Sequence, residues 1–262
     1  SLCQGEAAVT VVVFNPVSWS RTDLVRAAVD KKSLGEKPFV VRDESGNMVP
    51  YQVVTSGADE QQTEFLFVAR EVPSLGVSMF SVVPVDEVPR FESSLKSDRT
   101  WIESDRYTVE LEEFSGAVSR IYDKANQFEV LRKSGNYITL EADVGDLYRY
   151  SAPQYGGSRA MVSSLKHPAK TRIIEAGPVR CTVEVEGTVE GTQRVQRISL
   201  YEGVDRLDFE TVLDYKGSDR RVRLEYPLTT FAREVQVGAQ FCAETRQSQE
   251  YPSEDGVLSA LD

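Results

Sequence analysis

The stretch "VRCTVEVEGTV", residues 179–189, decides the fold class of this 262-residue chain, because its side chains alternate strictly in character. One set is apolar or small: Val179, Cys181, Val183 and Val185. The set between them is polar: Arg180, Thr182, Glu184 and Glu186. Successive side chains of a β-strand point to opposite faces of the sheet, so this pattern predicts a strand with one buried and one solvated face.

The same alternation recurs at 205–214 and 220–226, and strand-like runs fill most of the remaining sequence, whereas helical periodicity is scarce. Turn-forming sequences separate these runs, and we predict that they close hairpins: Asp43-Glu-Ser-Gly46, Ser115-Gly116, Glu202-Gly203 and Lys216-Gly217. Many short strands at regular spacing indicate an all-β protein built as a sandwich or barrel.

One segment, residues 86–98, is polar, contains Pro89 and lacks periodicity, which is typical of a linker or an exposed strap. We therefore predict a small β-sandwich of immunoglobulin-like size at 1–88 and a linker at 89–98. A larger antiparallel sandwich, or the C-terminal part of one, would occupy 99–262.

The formal net charge is -11, which argues against binding to nucleic acid or to an anionic membrane. No apolar run reaches the ~20 residues that a transmembrane helix needs. The three cysteines, Cys3, Cys181 and Cys242, are far apart, and this odd number without a C-x-x-C motif favours a reducing compartment such as the cytoplasm. Localisation itself is not determined. The chain begins Ser-Leu rather than Met, which favours a piece of a longer protein.

The usual catalytic motifs are missing from the sequence. His167 is the single histidine, so a His-rich or Cys-rich zinc site is not expected, and neither phosphate-binding glycine loops nor a G-x-S-x-G elbow occur. The stretch "LEADVGDLYRYSAPQYGG", residues 140–157, combines tyrosines with Asp143 and Asp146. Aromatic rings and carboxylates of this kind can hold a sugar, although a loop that merely covers the sandwich would have the same composition.

Seven strings become informative when they are taken in order. They are Phe14-Asn15-Pro16-x-Ser18-Trp19-x-Arg21, Val49-Pro50-x-Gln52, Val72-Pro73-x-Leu75-Gly76, Gly116-x-Val118-x-x-Ile121-Tyr122-Asp123-Lys124, Ser134-Gly135-Asn136-Tyr137, Gly177-Pro178-Val179-Arg180, and "ISLYEGVDRLDFETVLDY" (198–215) followed by Arg223-Leu224-x-Tyr226-Pro227-Leu228. In this order they resemble the C-terminal β region of glycoside hydrolase family 38, the α-mannosidases. The resemblance runs from about Val11 to about Arg246.

The resemblance implies an all-β fold in which a small immunoglobulin-like β-sandwich is followed by a large antiparallel supersandwich of the galactose-mutarotase type. It also implies retaining hydrolysis of α-mannosides by a parent protein. In the family, the aspartate nucleophile and the zinc ion lie in an N-terminal catalytic domain, which would be this chain's partner. No catalytic residue, zinc ligand or cofactor is therefore assigned to this chain.

The resemblance also gives four candidates for substrate contacts. Tyr137 corresponds to a family tyrosine that reaches the sugar. The alternative, equally compatible with the sequence, is a strand residue that only packs at the edge of the sandwich. Arg246 falls near a Glu-Arg pair of the family, within the divergent string "GAQFCAETRQ". Asp146 and Tyr148 stand where many members have a segment rich in Trp and Asp. We also expect Trp19 to lie in the core or in an interface rather than to hold a sugar.

Two other functions stay open on the sequence. A free-standing carbohydrate-binding module would bind sugar through the 137–155 region. The β portion of a hydrolase would bind little sugar there, because most walls of the sugar pocket are missing from this chain. A mutarotase would need a histidine with an acidic partner, and only His167 is available.

Overall fold

A computed structural model describes residues 9–54, 61–143, 162–230, 232, 234–247, 250–252 and 258–260. Regular structure there is β except for two short 3-10 helices, Lys31–Leu34 and Ser164–Lys166. The strands are β1 Val9–Phe14, β2 Arg21–Asp30, β3 Phe39–Arg42, β4 Met48–Val49, β5 Tyr51–Val54, β6 Gln62–Val72, β7 Val77–Pro84, β8 Lys96–Asp98, β9 Trp101–Glu103, β10 Tyr107–Leu111, β11 Val118–Asp123, β12 Phe128–Glu129, β13 Tyr137–Ala142, β14 Val162–Ser163, β15 Ala169–Ala176, β16 Arg180–Val189, β17 Thr192–Tyr201, β18 Leu207–Asp214, β19 Arg220–Glu225, β20 Glu234–Ala239, β21 Cys242–Gln247, β22 Glu250–Pro252 and β23 Leu258–Ala260. The predicted all-β class is confirmed. No helix among the described residues is long and apolar enough to cross a membrane.

The first seven strands form two antiparallel sheets, in the orders β1-β7-β3-β4 and β2-β6-β5. Their facing surfaces share an apolar core that is rich in aromatic rings, including Phe39, Tyr51, Phe65, Phe67 and Phe80. The Phe39 and Tyr51 rings stack with centroids 4.7 Å apart. The Tyr51 hydroxyl donates to the Phe39 carbonyl, so its polar end is satisfied inside the core.

The side chain of Asn15 gives the first of the seven strings, residues 14–21, a structural role. Its side chain is buried, and its amide donates to the carbonyls of Val72 at 3.0 Å, Pro73 at 3.0 Å and Trp19 at 2.8 Å, while Oδ1 accepts from the Val17 amide. These bonds tie the link between β1 and β2 to the link between β6 and β7, because buried carbonyls at strand ends need donors. The Trp19 residue is 63% exposed, so it does not lie in the core, and its alternative placement in an interface stays a prediction.

The later strands form a five-stranded sheet β12-β11-β10-β9-β8, a four-stranded sheet β15-β16-β17-β18 and a three-stranded sheet β14-β13-β19. The first two face each other across a second apolar core. Cys181, Val183 and Val185 of β16 point into this core and are almost fully buried, as their alternation predicts. Burial raises the pKa of the Cys181 thiol to about 11, so this cysteine is a core residue and not a reactive one.

The opposite face of the four-stranded sheet carries a ladder of alternating charges, with Arg172, Glu184, Arg197 and Glu210 in register on successive strands. Glu184 is 3% exposed. It accepts from Arg172 Nη2 at 2.6 Å and from Arg197 Nε at 2.8 Å. Burial pushes the pKa of Glu184 upwards, but hydrogen bonds and charge from the two guanidiniums outweigh it, so the pKa is lowered.

The early and late strands also contact each other. Leu66 and Val68, on the outer face of β6, pack in one apolar cluster with Val179, Tyr201 and Val204. Polar contacts flank this cluster: Gln52 Oε1 accepts from the Arg180 amide at 2.9 Å, and Arg206 Nη1 lies 2.9 Å from Asp23 Oδ1. Such contacts hold one part of the chain against the other.

The predicted linker at 89–98 is not entirely free of structure. Phe91 packs against the first core, and Lys96–Asp98 form β8, which pairs with β9. The division into 1–88, 89–98 and 99–262 stays a prediction, as does the name supersandwich.

Three of the four predicted hairpins are confirmed, because the turns at 43–46, 115–116 and 202–203 each join antiparallel neighbours. The fourth, at 216–217, is wrong. There β18 pairs with β17 while β19 pairs with β13, so the segment crosses between two sheets. Turn chemistry specifies a chain reversal but not the partner of the next strand.

Candidate functional site

The string Ser134-Gly135-Asn136-Tyr137 leads into β13, and Asn136 fixes its geometry. Asn136 has φ +54°, a left-handed conformation that asparagine tolerates better than most residues. Its buried side-chain oxygen accepts from the Tyr226 hydroxyl at 2.8 Å and from Gln196 Nε2 at 3.0 Å. Its backbone amide donates to the Glu225 carbonyl at 2.8 Å. The start of β13, and with it Tyr137, is therefore firmly positioned against β19.

Strand β13 has one apolar and one polar face. Ile138 and Leu140 are buried beside Val189. Tyr137, Thr139 and Glu141 alternate with them, and their partners across the ladder are Glu225, Arg223 and Arg221 of β19. Directly opposed residues of antiparallel strands share a face. We call these six residues, Tyr137, Thr139, Glu141, Arg221, Arg223 and Glu225, the β13–β19 polar strip.

Tyr137 lies at one end of this strip and is partly exposed. Its pKa is raised, first by burial and then by the negative charge of Glu225, while Arg223 opposes the shift. The phenol is therefore neutral near pH 7 and is able both to donate and to accept a hydrogen bond. Within the described part of the chain its hydroxyl makes no hydrogen bond.

Glu141 lies inside the strip and is almost completely buried. Its two oxygens lie 3.4 Å from Arg221 Nη2 and 3.3 Å from Arg223 Nη1. Arg223 Nε also lies 3.4 Å from Glu225 Oε1. A buried carboxylate held between two guanidiniums acts as a structural clamp. The clamp orders the side chains next to Tyr137.

The other candidates are not brought to this strip by any described contact. Arg246 is exposed on β21, where its guanidinium lies 3.2 Å from Glu244 Oε2. Asp146 and Tyr148 lie outside the described residues. All three therefore stay predictions, together with the sugar-contacting role of Tyr137.

The sequence analysis did not identify the other five members of the strip as site residues: Thr139, Glu141, Arg221, Arg223 and Glu225. Two signals were present. A glutamate interrupts the apolar run of β13, and alternate residues of β19 are charged. Neither signal reveals that residues 137 and 225 are paired, which only the fold establishes.

The described residues offer no ligand set for a metal ion, since no group of three or more His, Cys, Asp or Glu side chains converges among them. His167 ends the second 3-10 helix and is not part of the strip. The zinc ion of the family therefore does not fit the described part of this chain, and no step is assigned through it.

Comparison with known proteins gives the family. Residues 102–255 match the sequence model of the glycosyl hydrolases family 38 C-terminal domain, which covers more than half of the chain. The chain belongs to glycosyl hydrolase family 38. A search of curated proteins found no match.

Two solved structures of the same family share the fold. An alpha-mannosidase from Enterococcus faecalis V583 superposes with a TM-score of 0.73 at 16% identity, covering 92% of this chain and 34% of that one. A glycosyl hydrolase family 38 protein from Enterococcus faecalis gives a TM-score of 0.72 at 16% identity, with 91% and 35% covered. This family 38 chain therefore spans about a third of the length of those proteins.

Proposed function

We propose that this chain is the C-terminal, non-catalytic β portion of an α-mannosidase-like retaining glycoside hydrolase, and that the parent protein hydrolyses α-mannosidic bonds. The observation that carries the proposal is the match of residues 102–255 to the family 38 C-terminal domain. The shared fold with an alpha-mannosidase over 92% of the chain supports it. The catalytic domain, with its nucleophile and zinc, would be the partner of this chain, and an α-mannoside the substrate of the parent.

Within that protein the chain would support the catalytic domain and line one side of the sugar site through Tyr137. The hydroxyl of Tyr137 has no hydrogen-bond partner among the described residues, and the phenol is neutral. Sugar hydroxyls need partners that can both donate and accept, which a neutral phenol provides. The ordered charges of Arg223 and Glu225 hold the adjacent surface polar, and this favours a hydroxyl-rich ligand over an apolar one.

The test replaces Tyr137 in the parent protein. Tyr137→Phe removes one hydrogen bond and should lower kcat/KM for 4-nitrophenyl α-mannopyranoside about tenfold, since such a bond contributes about 1.4 kcal/mol. Tyr137→Ala should lower it further. The matched control is Tyr122→Phe, which removes a hydroxyl from β11 in another sheet and should leave kcat/KM unchanged.

Unchanged kcat/KM in both Tyr137 variants would show that Tyr137 does not contact the sugar. The carbohydrate-binding-module alternative gives a different result. In that case the isolated chain would bind α-mannobiose, and Tyr137→Phe would weaken the binding.

A further inference from the structure

A second polar surface lies on the outer face of the five-stranded sheet. It forms an open groove of 370 Å³. Its walls include an indole ring, two carboxylates and three hydroxyls, contributed by Trp101, Glu103, Glu110, Thr100, Thr108 and Ser119. None of these residues belongs to the β13–β19 polar strip.

The sheet register explains why these side chains meet. Trp101 of β9 lies directly opposite Glu110 of β10, and Glu103 lies opposite Thr108. Directly opposed Cβ atoms in an antiparallel ladder are about 4.5–5.5 Å apart. The register of β10 and β11 then shifts, because Glu110 pairs with Arg120 whereas Leu111 pairs with Val118. Ser119 is the extra residue of this bulge and lines the groove.

Both carboxylates are already held by cations. Lys124 Nζ lies 2.7 Å from Glu103 Oε1, and Arg120 Nη1 lies 3.0 Å from Glu110 Oε1. Arg120 also donates from Nε to Glu129 Oε1 at 2.9 Å, so two cations face three carboxylates, Glu103, Glu110 and Glu129. The residual negative charge disfavours an anionic ligand.

Some hydrogen-bond acceptors and donors of the groove are unpaired within the described part of the chain. Among the described residues, Oε2 of Glu103, Oε2 of Glu110 and the Trp101 indole N–H have no hydrogen-bond partner. Each ionised carboxylate oxygen accepts more than one hydrogen bond, and the indole N–H is a donor only. The groove thus combines one half-buried indole ring with carboxylate acceptors, one donor and several hydroxyls.

We propose that this groove binds a neutral carbohydrate, with the apolar face of a pyranose ring against the Trp101 indole and its hydroxyls donating to Glu103 and Glu110. Aromatic rings contribute a large apolar contact area, and convergent polar groups fix the orientation of a ligand. This site goes beyond the proposed function and does not rest on it, because it needs neither the catalytic domain nor Tyr137. It would hold a sugar unit or glycan branch on residues other than those of the β13–β19 polar strip.

The test uses the fact that the chain contains only two tryptophans. Trp19→Phe makes Trp101 the single tryptophan reporter. Titration of this variant with methyl α-mannopyranoside, α-mannobiose and cellobiose should give a saturable fluorescence change for at least one sugar. We expect a Kd on the order of 1–10 mM for such an open groove. Glycerol at equal concentration should give no saturable change.

Variants then locate the binding by saturation-transfer NMR on the sugar protons. Trp101→Ala should lose the transfer, and Glu110→Gln should weaken the affinity at least about threefold while keeping the fold. Trp19→Ala is the matched control, since it removes the other tryptophan, whose side chain is exposed elsewhere, and it should bind like the parent chain.

Three results would overturn the proposal. They are the lack of a saturable change with every sugar, equal affinity of Glu110→Gln, Trp101→Ala and the unmodified chain, and an equal response to glycerol. Binding that Tyr137→Phe abolishes but Trp101→Ala leaves intact would place the sugar on the other surface and would also contradict it. Loss of activity in the parent's Tyr137 variants has no bearing on any of these results.

Discussion

Replacing Gly116 by alanine should destabilise the chain strongly, for two reasons that can be separated. Gly116 ends the turn between β10 and β11 with φ +68°, and an added Cβ would lie 2.3 Å from Cγ1 of Val185. Left-handed backbone costs a residue with a Cβ about 1–2 kcal/mol. Val185 is fully buried in the second core, so it has little room to move, and overpacking costs about 1–3 kcal/mol more.

The expected loss is therefore about 2–5 kcal/mol in the free energy of unfolding, or roughly 4–20 °C in Tm for a chain of this size. Gly191→Ala is the matched control. Its φ is +79°, but nothing lies within 4 Å of an added Cβ, so it should lose only the backbone term of about 1–2 kcal/mol. The effect of alanine on the unfolded chain is similar in both variants and cancels in the comparison.

The assay is urea unfolding followed by circular dichroism at pH 7. On a Val185→Ala background, which removes the opposing methyl groups, Gly116→Ala should cost at least about 1 kcal/mol less than on the parent background. Equal losses in Gly116→Ala and Gly191→Ala, with no coupling to Val185, would refute the close approach of this turn to the β16 core.

Two further predictions concern buried ionisable groups. Because the folded-state pKa of Cys181 is raised to about 11 from 9.0, the unfolded chain loses its proton first, and stability should fall by about 1 kcal/mol between pH 9 and 10. Urea unfolding of Cys181→Ala should not show this loss of stability between pH 9 and 10. An equal loss in the variant would show that another group causes it. Because the pKa of Glu184 is lowered, its contribution is present at pH 7 and is lost as the pH falls through the folded-state pKa. Glu184→Gln should therefore cost about 1–3 kcal/mol at pH 7 and progressively less as the pH falls through the folded-state pKa, whereas Glu210→Gln, at the exposed end of the ladder, should cost about 0.5 kcal/mol or less. A Glu184→Gln loss that does not shrink at all with acidification would contradict the charged role of the side chain.

Alternation of side chains was sufficient to predict the fold class, because period 2 is a local property of the chain. The stretch at 179–189 illustrates this, since β16 begins at Arg180 and ends at Val189. The connection at 216–217 shows the limit of such reasoning. The choice between pairing with β17 and pairing with β13 depends on packing of distant residues, which a turn sequence does not encode.

The same distinction between local sequence and long-range pairing applies to the candidate site. Tyr137 was indicated by resemblance to a family, because its string is local and is kept together in the sequence. Its neighbours Arg223 and Glu225 are joined to it only by a ladder that connects residues more than eighty positions apart. The Trp101 groove was likewise missed, since it depends on the register of three strands and on a bulge at Ser119.

The most direct test of the central claim is the hydrolysis of 4-nitrophenyl α-mannopyranoside by the pure 262-residue chain, with and without added zinc, beside the parent protein. The account predicts release of 4-nitrophenol by the parent protein and none above background by the chain alone under either condition. Zinc-dependent turnover by the pure chain would contradict it, because the nucleophile and the metal ligands would then have to lie within these residues.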